Sequence, residues 1–106
     1  VNHPNTVDRD RARAFTGKLI RDIAGAVTTY LCAIGDRLGL FKDLAANGPA
    51  DPDTFATRTG IDARYAREWL EAMYAAGYFE CDPETSTFSL PAEHVRPLAD
   101  GSSTHW

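Results

Sequence analysis

The sequence predicts a mostly α domain of the winged helix-turn-helix class, with a long N-terminal helix and a small two-stranded antiparallel wing. Three observations predict it. Residues 60–81 (GIDARYAREWLEAMYAAGYFEC) run from a turn through a helix into a strand with almost no spacer. A helical pattern of apolar residues extends from about Asp8 to Leu38. Two short β-prone runs, 78–81 and 87–90, flank a turn at Asp82-Pro83-Glu84-Thr85-Ser86.

Taken in order, residues 1–7 are expected to be a disordered lead-in, 8–100 the folded domain, and 101–106 a tail or the start of a linker to an absent catalytic domain. The first helix has its expected core positions at Phe15, Leu19, Ile20, Ile23, Val27, Tyr30, Leu31, Ile34 and Leu38. Gly17 and Gly25 each weaken it by roughly 1 kcal/mol relative to alanine, so a kink or break is allowed. Gly39 fits its C-terminus. Residues 40–46 add a short helix ended by Asn47-Gly48-Pro49. The next helix covers 53–59, with Asp51 or Asp53 as N-cap and Pro52 available as first helical residue.

Asp62 then caps the main helix, 63–76, whose apolar stripe is Tyr65, Trp69 and Met73, flanked by Ala66, Leu70 and Tyr74. Gly77 stops it. The wing strands follow, and Pro91 opens a last helix over 92–99. A lone hairpin is marginal, so the helices must cover one face of the wing.

Composition narrows the function. A chain of 106 residues, 43% hydrophobic and 25% charged, makes one globular domain. It is too small to hold a cofactor-binding sheet as well. Cys32 and Cys81 lie far apart without metal-ligand spacing, which implies buried thiols in a reducing, cytoplasmic setting. No metal site is indicated. Residues 23–35 carry no charge. A membrane span needs roughly 20 apolar residues, so this run is too short to be one. It is nonetheless apolar round more of its circumference than a one-sided surface helix.

Winged helices often read DNA with the helix before the wing. Here that helix pairs each exposed arginine with an acid four residues on, Arg64 with Glu68 and Arg67 with Glu71. The wing turn offers Asp82 and Glu84 and no base. Residues 40–100 hold five bases against eleven acids, a net −6 that opposes phosphate binding. Residues 1–39 hold six bases against four acids, with the excess at Arg9, Arg11 and Arg13. No nucleic acid and no membrane partner is expected. A winged-helix DNA-binding transcriptional regulator remains the alternative.

Among single residues, Trp69 and Tyr65 read as core rather than pocket lining. Tyr30 is a candidate for lining a substrate pocket. His94 has no nucleophile, metal cluster or second acid nearby in sequence, so it is a poor candidate base. No catalytic, cofactor-binding or metal-binding residue is assigned.

The ordered set Asp36-Arg37-Leu38-Gly39-Leu40-Phe41, Leu44-Ala45, Ala50-Asp51-Pro52, Phe55-Ala56, Thr59-Gly60-Ile61-Asp62, Tyr65, Arg67-Glu68-Trp69-Leu70, Ala75-Ala76-Gly77 and Phe88-Ser89-Leu90-Pro91 resembles one family. It is similar to the N-terminal winged-helix dimerisation domain of bacterial class I S-adenosylmethionine-dependent methyltransferases of the O-methyltransferase-like group. The departure lies at 51–55, where proline and aspartate replace a threonine-led start. The resemblance covers about 14–100. It implies a dimerisation and substrate-capping module, non-catalytic by itself, with a C-terminal methyltransferase domain in cis. S-adenosylmethionine is then expected for the full-length protein and not for this chain, which lacks a glycine-rich turn after a strand. It further implies a homodimer through the first helix. The uncharged run agrees independently and names Ile23, Val27, Tyr30, Leu31 and Ile34 as the interface. The alternative is that the rest of the monomer, or the catalytic domain, covers this face.

Overall fold

The computed structural model describes residues 6–100. The expected lead-in falls largely, and the tail entirely, outside these residues. Helix α1 is Arg9–Leu38, α2 Leu40–Asn47, α3 Pro52–Thr59 and α4 Ala63–Ala75. Strands β1, Glu80–Asp82, and β2, Thr87–Ser89, follow, and α5, Ala92–Ala99, closes the order. The strands pair antiparallel with Cys81 opposite Phe88. This is the winged helix-turn-helix that the sequence predicts.

Local chemistry sets the helix ends. Asp8 accepts from the backbone N–H groups of Asp10 and Arg11, Asp51 from Thr54, and Asp62 from Tyr65. Each side chain thereby satisfies donors that a helix start leaves unpaired. Gly77 ends α4 with a φ of 87°, a left-handed conformation that costs glycine nothing. Around it the Gly77 N–H donates to Tyr74 and the Tyr78 N–H to Met73, the two bonds of a Schellman motif.

Both strands are one residue shorter than expected; β1 begins two residues later, because Tyr78 is taken up by that helix cap, and β2 begins at Thr87 as expected. One element was not anticipated. Ala50, between α2 and α3, exchanges backbone hydrogen bonds with Phe88 at 3.1 and 2.9 Å and forms a third, one-residue edge on the wing.

The core gathers around Trp69, which is 2% exposed. Its ring stacks on Phe55 and meets Phe41 and Phe79 edge to face, with centroids 5.1 to 6.0 Å away. The indole N–H donates to the Leu31 carbonyl at 3.0 Å, which ties α4 to α1. At the same place the two helices come close together. A Cβ built on Gly35 would lie 2.5 Å from Trp69 and 2.7 Å from Phe41. Only glycine fits there. Arg58 locks α3 to the end of α2. Its guanidinium donates to Asp43 at 3.0 and 2.6 Å and to the carbonyls of Asn47 and Gly48.

Two expectations about burial are corrected. Phe15, Leu19, Ile20, Ile23, Val27, Tyr30 and Leu38 are exposed, and Leu31 and Ile34 are only half-buried. The α1 residues that enter the core are Cys32 and Gly35, with Leu31 packed against it. The physical reason is length. A 30-residue helix outruns the body that the other elements build, so only its C-terminal third is covered. The Cα radius of gyration, 18.1 Å, exceeds the roughly 13 Å of a compact 100-residue domain accordingly. On α4, Ala66, Trp69, Leu70 and Met73 are buried, whereas Tyr65 and Tyr74 stand at the exposed edges of the stripe. Gly17 and Gly25 do not interrupt α1.

Candidate functional site: an uncovered helical face

An α-helix turns by about 100° per residue, so Ile23, Val27, Tyr30 and Ile34 share an arc of about 60°. Cys32 and Gly35, which enter the core, lie on the far side of the helix. The helix thus has two apolar faces, and the described residues cover one of them. On the other, Ile23 is 56% exposed, Val27 52% and Tyr30 67%. The described residues of the chain therefore do not bury both faces.

Beside this face lies a shallow open groove of about 360 Å³. Ala24, Val27, Thr28 and Leu31 of α1 form one wall, and Ala72, Ala75 and Ala76 of α4 the other. The small residues create it, because side chains ending at Cβ leave space between helices that larger ones would fill. Val27 and Leu31 belong to both the groove and the exposed face. Tyr30 projects from the exposed face and is not among the groove's walls. The groove was not legible in the sequence. Three alanines near the end of α4 were the available signal.

The surface that a DNA reader would use is different in character. Arg64 pairs with Glu68 at 3.4 Å, as the spacing suggests. Among the described residues Arg67 makes no such pair with Glu71. Its charge instead reaches Asp51, whose carboxyl is held below the ordinary range, mainly by the N-cap bond from the Thr54 backbone. The wing turn presents Asp82 and Glu84, and the Asp82 carboxylate accepts from the Glu84 N–H at 2.9 Å. Nothing in this distribution favours phosphate.

The remaining polar candidates have structural work. The His94 Nδ1–H donates to the Tyr78 carbonyl at 2.8 Å and pins α5 to the end of α4. Cys32 is fully buried, and burial pushes its thiol up; the Tyr78 hydroxyl, its hydrogen-bond partner, opposes that. Tyr78 is raised by burial and by the same neighbour. Cys81 is half-buried, not buried as expected. Among the described residues no cluster of His, Cys, Asp or Glu is suited to a metal ion, and no helix is long and apolar enough to cross a membrane.

Comparison with known proteins gives the following. The family model of the Rv2258c-like winged HTH domain matches residues 26–99. Among solved structures, PigF with SAH superposes at a TM-score of 0.68 with 26% identity, covering 77% of this chain and 24% of that one. Mitomycin 7-O-methyltransferase MmcR gives 0.68 with 24% identity, over 89% and 30% of the two chains. N,N-8-amino-8-demethyl-D-riboflavin dimethyltransferase (RosA) from Streptomyces davawensis gives 0.52 with 25% identity, over 85% and 24%. The likeness to MmcR shows the fold alone. The chain spans between about a quarter and a third of the length of these structures. No curated protein matches it. The chain is thus a winged HTH domain resembling the N-terminal region of methyltransferases.

Proposed function

The chain belongs to the Rv2258c-like winged HTH domain family, and from that premise we propose that it is the dimerisation and substrate-capping module of an S-adenosylmethionine-dependent methyltransferase. The observation that carries the pairing role is the uncovered apolar face of α1. A contiguous exposed apolar surface on a soluble domain marks an interaction site. Ile23, Val27, Tyr30, Leu31 and Ile34 form the interface with a second copy, and Tyr30 is the residue placed to line a pocket at its edge. The methyl-transfer role is supported by two solved neighbours, RosA, named as a dimethyltransferase, and PigF, solved with SAH. In this reading the methyltransferase domain lies in cis and binds the cofactor, and this module binds none. The protein works in the cytoplasm and takes neither nucleic acid nor membrane as partner. The DNA-reading alternative lacks a supporting observation, since residues 40–100 are net −6 and the wing turn is acidic.

The test is sedimentation equilibrium over a micromolar concentration series. The chain is expected to dimerise, and Val27→Glu or Ile34→Glu to shift it to monomer by burying an unpaired charge. An unmodified chain that stays monomeric at high micromolar concentration would overturn the pairing role.

A further inference from the structure

We propose that Asn47 is a site of spontaneous deamidation, held closed in the folded chain by the clamp that Arg58 and Asp43 form at the end of α2. This rests on neither the pairing nor the methyl-transfer reading above.

The chemistry starts in the sequence. Asn2, Asn5 and Asn47 are the asparagines of the chain, and Asn47 alone precedes glycine. Deamidation is intramolecular. The backbone nitrogen of the next residue attacks the side-chain carbonyl carbon, Cγ, and closes a five-membered imide. The bond from Cγ to Nδ2 breaks, and Nδ2 leaves as ammonia with the proton that the backbone nitrogen gives up. Water then opens the imide at either carbonyl, which leaves an aspartyl or an isoaspartyl residue at position 47. A side chain on the following residue hinders the attacking nitrogen, and glycine has none.

The structure supplies both access and a lock. Asn47 is exposed at the end of α2, and a Cβ built on Gly48 would meet nothing within 4 Å, so the junction is open. Gly48 has a φ of 83°, so the fold itself requires glycine after Asn47. Three contacts oppose the reaction. The Gly48 N–H, whose proton must be given up, donates to the Leu44 carbonyl at 3.0 Å. The Asn47 Nδ2, which must gain a proton to leave, instead donates to Asp43 Oδ1 at 2.8 Å. Arg58 donates to the carbonyls of Asn47 and Gly48 at 3.3 and 2.9 Å and keeps the peptide between them from turning.

Asp43 couples these contacts. Its Oδ1 holds Asn47 while its Oδ2 receives two N–H groups of Arg58, at 3.0 and 2.6 Å. The Asp43 side chain is only 10% exposed, so water competes poorly for it. Arg58, from α3, thus governs whether the last turn of α2 opens, and such local opening takes less free energy than global unfolding. The product would weaken the lock further. A carboxylate at position 47 faces Asp43 and the negative end of the α2 dipole. An isoaspartyl residue lengthens the backbone three residues before Ala50, whose hydrogen bonds to Phe88 depend on register.

Mass-spectrometric peptide mapping of the 106-residue chain, incubated at mildly alkaline pH, tests this. Unfolded in guanidinium chloride, the chain is expected to deamidate faster at Asn47 than at Asn5. Folding is expected to slow Asn47 by on the order of tenfold or more. Folded Arg58→Ala and Asp43→Ala chains should each regain about tenfold over the folded parent, the second by freeing the Asn47 amide directly. Met73→Ala is the comparison, because it opens a cavity in the buried face of α4 and leaves the clamp's residues in place. It should deamidate at the parent's rate. Equal rates at Asn47 and Asn5 in the unfolded chain would overturn the site. Equal rates in the folded and unfolded parent, or equal acceleration by Met73→Ala and Arg58→Ala, would overturn the clamp.

Discussion

Gly35→Ala should destabilise the fold, whereas Gly25→Ala in the same helix should stabilise it. In an open helical position, replacing glycine by alanine gains about 0.5–1 kcal/mol, because alanine gives up less backbone freedom. A Cβ on Gly25 meets nothing within 4 Å, so the full gain is expected there. On Gly35 the same atom lies 2.5 Å from the Trp69 ring and 2.7 Å from Phe41. Neither ring has room to withdraw. Trp69 is held by the Leu31 carbonyl at 3.0 Å and by rings on three sides, and Phe41 is 1% exposed. Overpacking of this kind costs about 1–3 kcal/mol, and loss of the indole hydrogen bond adds about 1 kcal/mol. Set against the helical gain, the net loss is about 1–3.5 kcal/mol. For a domain of this size that lowers the melting midpoint by roughly 5–25 °C. Circular dichroism melts at one fixed protein concentration measure it, since the proposed pairing would make the midpoint concentration-dependent. A Gly35→Ala chain that melts at or above the parent would refute the close approach of α1 and α4.

Three further outcomes are expected. Arg58→Ala should cost about 2–3 kcal/mol in urea unfolding, because it leaves the Oδ2 of a mostly buried Asp43 without the two guanidinium N–H groups that donate to it; Arg58→Lys should recover only part, lacking the planar guanidinium. An unchanged midpoint for Arg58→Ala would show that the link between α2 and α3 is immaterial. Fluorescence anisotropy with duplex DNA at physiological salt should show no sub-micromolar binding, and tight binding that weakens steeply with salt would revive the transcriptional-regulator alternative. Calorimetry of the 106-residue chain with S-adenosylmethionine should show no saturable heat; binding of one cofactor per chain would place a site where this reading has only core.

The fold was legible where its determinants are local. Asp51 and Asp62 announce helix starts, and Gly39, Gly60 and Gly77 helix ends, because each cap is made within a few residues of itself. Non-local features left weaker traces. The bridge from Ala50 to Phe88 joins residues far apart in sequence through backbone alone, so no side-chain pattern marks it. Gly35 reads as one more small residue in an uncharged run until Trp69 and Phe41 are placed against it. The expected core of α1 failed for a related reason. Apolar periodicity says that a face must be covered, and it does not say whether the cover is the same chain.

The candidate site shows that difference most clearly. Counted along the chain, the uncharged run begins at Ile23, and the interface inferred from it is centred near Tyr30. Wound into a helix, Lys18, Arg21 and Asp22 leave that face altogether, and Phe15, Leu19 and Ile20 join it. Linear charge spacing underestimates an apolar surface whenever the charges share one side of a helix. The same winding turns Cys32 and Gly35, neighbours of the interface residues in sequence, toward the opposite face and into the core. The C-terminal third of α1 is fixed by Trp69 and Gly35, while the apolar face from Phe15 to Tyr30 is left exposed by the described residues. A lesion at Gly35 should accordingly unfold the monomer, and a lesion at Ile23 should leave it folded and unpaired.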